Sequence, residues 1–394
     1  MKLLYPFVMM AAVCLFSCEK GGGDGTEKST DLSSGLYAGG ASGGSSGSTG
    51  NNSNPGQVTP QPGLITAGEW NDLSHWDFWQ SLQDKDVFKD VKSSYRYDLA
   101  TKVTVKLISD DHMPLIDEPV LIKKSDGSLL WEARTDNKGI AQLFIGSTQK
   151  GVAFNVYVPE RGYNAPGVYS TETREYQVPV TAGIVSNADV AFVVDATGSM
   201  GDELYYLKTE LLDVINQAKS ANSNNIIRTG AVFYRDEGDD YVTKRSDFTS
   251  NSTSTLDFIR NQSAGGGGDF PEAVHTAVKE AVQQLAWSSK AKCRILFLVL
   301  DAPPHDNDAV MATLAEQVKA AAKKGIRIVP ITASGINKLT EYLMRQMSIA
   351  TNGTYVFITN DSGIGNNHLE PTVGEYKVEY LNNLMVRLIN QYLE

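Results

Sequence analysis

The sequence has few cysteines, no block of basic residues and no apolar run long enough to cross a membrane as a helix. Its N-terminus carries a shorter, mostly apolar run. Three cysteines in 394 residues are too few for a disulfide framework, and only Cys293 lies outside the N-terminal region. The formal net charge is −11, which argues against a nucleic-acid partner and against binding to an anionic lipid surface. The apolar run lies within residues 1–17 and is shorter than the roughly 20 residues that span a bilayer as a helix.

Residues 1–17 have the pattern of an export signal, with one early lysine, a short apolar stretch and a small residue at the end. The run Leu15-Phe16-Ser17-Cys18 resembles a bacterial lipobox; an ordinary signal peptide is the alternative. The resemblance implies cleavage before Cys18, acyl chains such as palmitate on its thiol, and acylation of the new amine. Several acyl chains anchor a protein stably. We therefore expect a protein of the bacterial cell envelope that is held at the outer membrane by lipid alone, with surface display left open.

Residues 18–63 hold Cys18 and a flexible linker. Between residues 21 and 63 there are 13 glycines and 8 serines, a composition that cannot support a packed core. This linker is expected to act as a tether between the anchor and the folded part of the chain.

Residues 64–94 form an aromatic-rich segment. The spacing of Trp76, Trp79 and Leu82 predicts a short amphipathic helix. The aromatic rings can be interpreted as a carbohydrate platform or as a surface that is buried against the next domain. We favour burial, because so apolar a cluster beside a flexible linker needs a surface to pack on.

In residues 95–181 apolar and polar residues alternate with a period of two. Turn residues separate these short alternating runs. Strands are predicted at 101–107, 119–123, 129–135, 140–145, 153–158 and 176–180. This spacing favours a β-sandwich. The stretches 116–120 and 135–141 resemble the carboxypeptidase-regulatory or transthyretin-like sandwich, which implies a spacer or stalk.

Residues 188–394 alternate strand and helix patterns, which is typical of a doubly wound, Rossmann-like α/β domain. The chain is therefore predicted to be multi-domain, with a β-sandwich followed by an α/β domain. Strands are predicted at 189–194, 227–234, 241–248, 294–300, 326–331 and 355–359, and the last helix at 375–392.

Oxygen-bearing side chains follow two of these strands. Asp195 ends the first strand, Thr197 and Ser199 come next, and Asp301 ends the fourth strand. Ligand sites in such sheets gather at the carboxyl ends of the strands. Two carboxylates and two hydroxyls suit Mg²⁺ with open coordination positions better than a structural Ca²⁺ site, with Mn²⁺ and Ca²⁺ as the alternatives.

This pattern resembles the von Willebrand factor A (vWA) domain over the whole α/β region. The family's metal-ion-dependent adhesion site has an Asp-x-Ser/Thr-x-Ser element, matched here by Asp195, Thr197 and Ser199, and a later Asp, matched by Asp301. Its third element, a Thr before a helix, has no counterpart, and Asp269 is nearest to that place. The resemblance therefore leaves two interpretations of Asp269, as an additional metal ligand or as a side chain that points away.

Other polar residues near these positions have simpler interpretations. Asp236 and His305 are placed at the rim of the site, with His305 interpreted first as a loop residue. Asp202, Glu203 and Glu272 lie at helix starts, where the helix dipole favours acidic residues, and are interpreted as caps.

The vWA resemblance implies a binding function without catalysis. In the family the metal accepts a carboxylate from a partner protein, so we expect a protein ligand that offers an acidic side chain. The first alternative is a metal-assisted hydrolase with His305 as its base, and the second is a structural envelope protein. No Ser-His-Asp set or pair of acids accompanies His305, so the sequence predicts that the protein is not an enzyme.

Overall fold

The structure, a computed structural model, describes residues 60–83, 85, 88 and 97–394. The predictions for the export signal, for Cys18 and for the linker up to residue 59 lie outside the described residues. In the part of the chain that is described, no helix has both the length and the apolar character needed to cross a membrane.

The elements that precede residue 178 are mostly strands. The aromatic-rich segment forms β1 (Thr66–Trp70) and α1 (Trp76–Leu82), and α1 agrees with the predicted helix. The next region forms β2 (Thr101–Ile108), β3 (Pro119–Lys124), β4 (Leu129–Arg134), β5 (Ile140–Ile145), β6 (Phe154–Val158), β7 (Tyr163–Pro166) and β8 (Arg174–Gln177).

The C-terminal region alternates strands and helices, as the sequence predicts. Its elements are β9 (Asn187–Asp195), α2 (Gly201–Ala221), β10 (Ile226–Tyr234), β11 (Thr243–Thr249), α3 (Ser252–Arg260), α4 (Val274–Gln284), β12 (Cys293–Leu300), α5 (Asp308–Lys324), β13 (Ile326–Thr332), α6 (Lys338–Ala350), β14 (Tyr355–Ile358), β15 (Glu379–Tyr380) and α7 (Leu381–Leu393). The last helix is shorter than predicted, because residues 379–380 pair as a strand before the chain turns into α7.

A single large sheet organises this region, in the order β11-β10-β9-β12-β13-β14-β1-β15. Strands β10, β9, β12, β13 and β14 run parallel, and β11 is antiparallel to β10. The central strand β12 is buried along its whole length and β9 from its second residue onward, as in sheets that are covered on both faces. Helices α4, α5 and α6 pack on one face, and α2, α3 and α7 pack on the other. The α/β prediction is therefore confirmed.

Strand β1 is the main departure from the predicted domain boundaries. It lies in the large sheet between β14 and β15 and is antiparallel to both, with Trp70 opposite Tyr355. Two aromatic residues after it are also buried, and the rings of Trp79 and Phe88 stack on Tyr342 of α6 with centroids 4.9 and 4.7 Å apart. Burial is thus confirmed for these two aromatics, and the segment is part of the α/β domain rather than a separate unit.

A buried ion pair fixes the segment after β1. Asp72 accepts two hydrogen bonds from the guanidinium of Arg345 on α6, at 2.9 and 2.6 Å, and both side chains are fully buried. Arg345 also donates to Glu341 and to the backbone carbonyl oxygen of Thr372. The same guanidinium therefore joins the N-terminal segment, α6 and the loop after β14.

Strands β2 to β8 form two smaller sheets, one in the order β5-β2-β8 and the other in the order β4-β3-β6-β7. Five of the strands lie within two residues of the predicted ranges, β8 begins two residues early and ends three residues early, and β7 had no predicted counterpart. The carboxypeptidase-regulatory or transthyretin-like sandwich stays a prediction. Asp117 binds Arg294 at the start of β12 with contacts of 2.7 and 2.8 Å, which places this region at the amino ends of the parallel strands.

Candidate metal-binding face

In the loop after β9, one carboxylate oxygen of Asp195 accepts hydrogen bonds from the loop and the other has no partner. Asp195 is fully buried, and its Oδ1 accepts the Thr197 N–H at 2.9 Å and the Thr197 hydroxyl at 2.7 Å. The Thr197 and Ser199 hydroxyl oxygens lie 3.2 Å apart. Asp195 Oδ2 is buried and has no hydrogen-bond partner. The structure therefore brings these three predicted residues together.

Asp301 lies beside Asp195 because β12 pairs with β9 and both carboxylates follow the carboxyl ends of their strands. Its Oδ1 is also buried without a partner. Burial, and next the charge of Asp195, raise the pKa of the Asp301 carboxyl to about 7. Burial likewise raises the pKa of Asp195 to about 6, against the hydrogen bonds from Thr197 that lower it. Both shifts mean that the site, without a cation, disfavours negative charge.

Two further side chains at this edge were not predicted as part of the site. Tyr234 ends β10, on the other side of β9, and burial and the Asp195 carboxylate raise the pKa of its hydroxyl well above the usual value. Glu272 is 3% exposed, and burial, followed by the charges of Asp195, Asp236 and Asp301, raises the pKa of its carboxyl to about 9. Sequence position suggested only a helix cap for Glu272, and its backbone pairing is with Pro304, a residue distant in the sequence.

Buried polar atoms without partners are concentrated at this edge. In the described residues five such side-chain atoms belong to Asp195, Glu203, Tyr234, Glu272 and Asp301. Buried carboxylates are tolerated where they are paired or bind a metal. The donor set therefore fits a divalent cation, with hard oxygen ligands from carboxylates and hydroxyls.

The cation would need more than carboxylates. Across the described ranges, no three His, Cys, Asp or Glu side chains are grouped so that they could hold a metal ion by themselves. The hydroxyls of Thr197 and Ser199, together with water, would have to complete the coordination. Mg²⁺ commonly keeps several waters when it binds to protein carboxylates.

The Gly-rich loop lies against the Asp195 loop but does not bring Asp269 into it. Gly265 N–H donates to the Ala196 carbonyl oxygen, and Gly198 N–H donates to the Gly266 carbonyl oxygen, each at 3.1 Å. Asp269 itself is exposed, and in the described part of the chain its side chain forms no hydrogen bond with Asp195, Thr197, Ser199 or Asp301. Its role as a metal ligand stays a prediction.

The predicted rim residues form a pair. His305 Nε2 lies 2.7 Å from Asp236 Oδ1, and Asp236 is 5% exposed. Asp236 is among the charges that raise the pKa values of Asp195 and Glu272, so the pair lies at the border of the carboxylate cluster.

The loop between β14 and β15 packs beside the first turn of α2. His368 Nε2 lies 3.1 Å from Glu203 Oε1, and the same oxygen accepts the Ser334 N–H at 3.0 Å. Glu203 lies in the first turn of α2, as the sequence predicts, and it is also a buried contact for this loop. Asp202, in contrast, stays on the surface, where it accepts a hydrogen bond from Asn366 at 3.1 Å.

A cavity of about 720 Å³ lies away from the carboxylate cluster, lined by Trp76, Phe78, Lys102 and Tyr169 among others. At the cluster, Gly198, Ser199 and residues 266–270 are exposed. The arrangement is an open face with polar oxygens beneath it, which favours contact with a large partner over enclosure of a small substrate.

Comparison with known proteins identifies the region that carries this face. Residues 189–366 match the family model of the von Willebrand factor A domain. This region has the fold of a vWA-type α/β domain. The match includes the strands that lead to Asp195 and Asp301, and the metal site itself stays a prediction.

Three curated proteins show local similarity to the chain. They are a putative ariadne-like RING finger protein of Acanthamoeba polyphaga mimivirus, 33% identical over 131 residues; an alpha-protein kinase of Dictyostelium discoideum, 25% identical over 171 residues; and the human collagen alpha-6(VI) chain, 22% identical over 280 residues. The aligned parts are 33%, 43% and 67% of this chain. The chain spans only 12%, 26% and 11% of the lengths of these relatives.

Two of the solved structures to which the chain is similar come from Bacteroides species. The protein BatB of Bacteroides thetaiotaomicron has a TM-score of 0.37, and an aerotolerance-related membrane protein of Bacteroides fragilis has a TM-score of 0.34. Each is 15% identical and covers 52% of this chain and 98% of its own.

Proposed function

We propose that this chain binds a protein partner through a divalent cation on its vWA domain. The observation that carries the proposal is the set of buried carboxylate oxygens without partners beneath an open face. Asp195, Asp301 and the hydroxyls of Thr197 and Ser199 would hold the cation, with Mg²⁺ favoured over Mn²⁺ or Ca²⁺. The bound ion would supply a positive charge with an open coordination position at the surface.

The partner is proposed to offer an acidic side chain. A chain of net charge −11 repels an acidic surface at long range. A cation at the face makes the local potential attractive for one carboxylate, so recognition would depend on the metal. Because the surrounding loops leave the face open, the carboxylate would come from a protruding side chain of a macromolecule.

The proposed setting is the bacterial cell envelope. The Leu15-Phe16-Ser17-Cys18 run supports export and lipidation at Cys18, with anchoring at the outer membrane. The Gly/Ser-rich stretch that follows supports a tether, which would let the vWA domain reach partners away from the membrane.

A pull-down from intact cells tests the binding function. Wild type and Asp195→Ala are compared in Mg²⁺ and in chelator, followed by identification of the captured proteins. We expect a partner that is retained only by wild type and only with Mg²⁺. Capture that survives both the substitution and the chelator would place the binding surface elsewhere, and the metal-dependent function would be wrong.

Metal-assisted hydrolysis is the second candidate, favoured by the His305–Asp236 pair. A carboxylate that holds a histidine at 2.7 Å is an arrangement used to orient a general base. Turnover of ester, phosphate-ester and peptide substrates in Mg²⁺, lost in His305→Ala, would support this candidate. If no turnover is found and metal-dependent capture of the partner is unchanged in His305→Ala, the hydrolase candidate is wrong and the binding function is retained.

A further inference from the structure

Glu272 is held in place at the end of the Gly-rich loop by its backbone. Its N–H donates to the Pro303 carbonyl oxygen at 2.9 Å, and it forms an isolated parallel β-bridge with Pro304. Both prolines follow Asp301 in the loop after β12. The backbone that positions Asp301 therefore also positions Glu272, two residues before α4 begins.

The side chain of Glu272 is turned toward the loop that carries Thr197. A Cβ atom placed on Gly267 would lie 3.0 Å from Glu272 Oε1 and 3.3 Å from Thr197 Cβ. Gly267 also has a φ of +75°, which disfavours other residues. The glycine thus leaves room for a carboxylate to approach the Asp195–Ser199 loop.

The Glu272 carboxylate is buried without a positively charged partner among the described residues. Its Oε2 has no hydrogen-bond partner, and none of the ion pairs formed among the described residues includes it. Its strongest charged neighbours are carboxylates, first Asp195, then Asp236 and Asp301. A buried carboxylate among like charges requires a cation or a proton, and the proposed ion would lie among the same neighbours.

Building on the proposed function, we infer that Glu272, and not Asp269, is the carboxylate that the Gly-rich loop presents to the cation. Because the three carboxylates do not form a metal group by themselves, Glu272 acts through the water shell of the ion. Its negative charge strengthens cation binding and reduces the positive charge that remains for an acidic partner. The site therefore retains its cation without a partner and recognises that partner through additional surface contacts.

Calorimetric titration of the full chain with Mg²⁺ and with Mn²⁺ tests this inference. Glu272→Gln keeps the shape of the side chain and removes its charge, and Asp269→Asn makes the matched change in the same loop. We expect Glu272→Gln to weaken metal binding roughly 10- to 100-fold, as for the loss of other outer-shell partners, and Asp269→Asn to leave the affinity unchanged.

The outcomes separate this inference from the proposed function. Absence of metal binding in wild type would contradict the proposed function itself. Wild-type affinity in Glu272→Gln, with metal binding still lost in Asp195→Ala, would overturn only the role of Glu272. A loss confined to Asp269→Asn would assign that role to Asp269.

Thermal unfolding in chelator checks that the variant folds. Glu272→Gln should unfold at or above the wild-type temperature, because a buried, uncompensated carboxyl group has been removed. If that variant does not fold, Glu272→Asp takes its place in the titration, since it keeps the charge but shortens the reach. Weakened Mg²⁺ binding in Glu272→Asp supports the inference, and wild-type affinity overturns it.

Discussion

Replacing Asp195 with Asn should stabilise the metal-free protein and remove its stabilisation by Mg²⁺. Asp195 is fully buried, and burial raises the pKa of its carboxyl from the usual 3.8 to about 6. A folded-state pKa above the unfolded value means that the folded protein binds the proton more tightly. The tighter binding of the proton by Asp195 stabilises the fold below pH 4, and this stabilisation is lost as the pH rises toward 6 and beyond.

The size of the effect follows from the shift in pKa. The pKa of Asp195 differs by about two units between the folded and unfolded protein. This difference corresponds to about 3 kcal/mol, by which the charged carboxylate lowers the free energy of unfolding above pH 6. Asn keeps an oxygen that can accept both hydrogen bonds from Thr197. Its amide nitrogen is left unpaired, at about 1 kcal/mol or more, so the net gain at pH 8 is up to about 2 kcal/mol.

Urea unfolding at pH 8 and pH 5, in chelator and in Mg²⁺, measures these terms. In chelator we expect Asp195→Asn to exceed wild type at pH 8 and to lose that advantage at pH 5, where the wild-type carboxyl is mostly protonated. In Mg²⁺ at pH 8, wild type should gain stability and the variant should not. The reasoning is refuted if the variant is less stable than wild type in chelator at pH 8, or if Mg²⁺ stabilises both equally.

Three other predictions concern the anchor, the face and the buried ion pair. A radiolabelled fatty acid should enter wild type and not Cys18→Ala; equal labelling of both would contradict lipidation. Ser199→Ala should reduce metal-dependent capture of the partner while its circular dichroism spectrum stays that of wild type, because the hydroxyl is exposed; undiminished capture would remove Ser199 from the site. Asp72→Ala should lower the free energy of unfolding by about 3–5 kcal/mol in urea titrations, since it leaves Arg345 buried without its main partner. Exposed Asp77 provides the control, and a similar small change in Asp77→Ala and Asp72→Ala would contradict the role of the ion pair.

Much of the α/β fold could be predicted because its signals are local. The run from Asp189 to Val194 is a continuous apolar strand, and Asp195, Thr197 and Ser199 follow it within one turn. Asp301 is also found by position, because it ends another apolar strand. Residues at the carboxyl ends of neighbouring parallel strands must meet, so their convergence follows from the pattern.

The parts that sequence reasoning missed depend on contacts between distant residues. Strand β1 has no long periodic pattern, and its partner Tyr355–Ile358 lies nearly 300 positions later. Glu272 is an acid near a helix start, where an exposed cap is the usual interpretation. Its backbone pairs with Pro304, a residue in another loop, and no spacing within residues 265–272 indicates that its side chain is buried.

The position of β1 inside the sheet also determines how the vWA domain can be produced in isolation. A fragment cut at residue 188, where the α/β pattern begins, would leave β14 as an open edge. All four residues of β14 are buried in the intact chain, so the new edge would be apolar and free to pair with another molecule. Such a fragment would be prone to aggregate, whereas one that retains the chain from Gly63 onward keeps the sheet closed on that side.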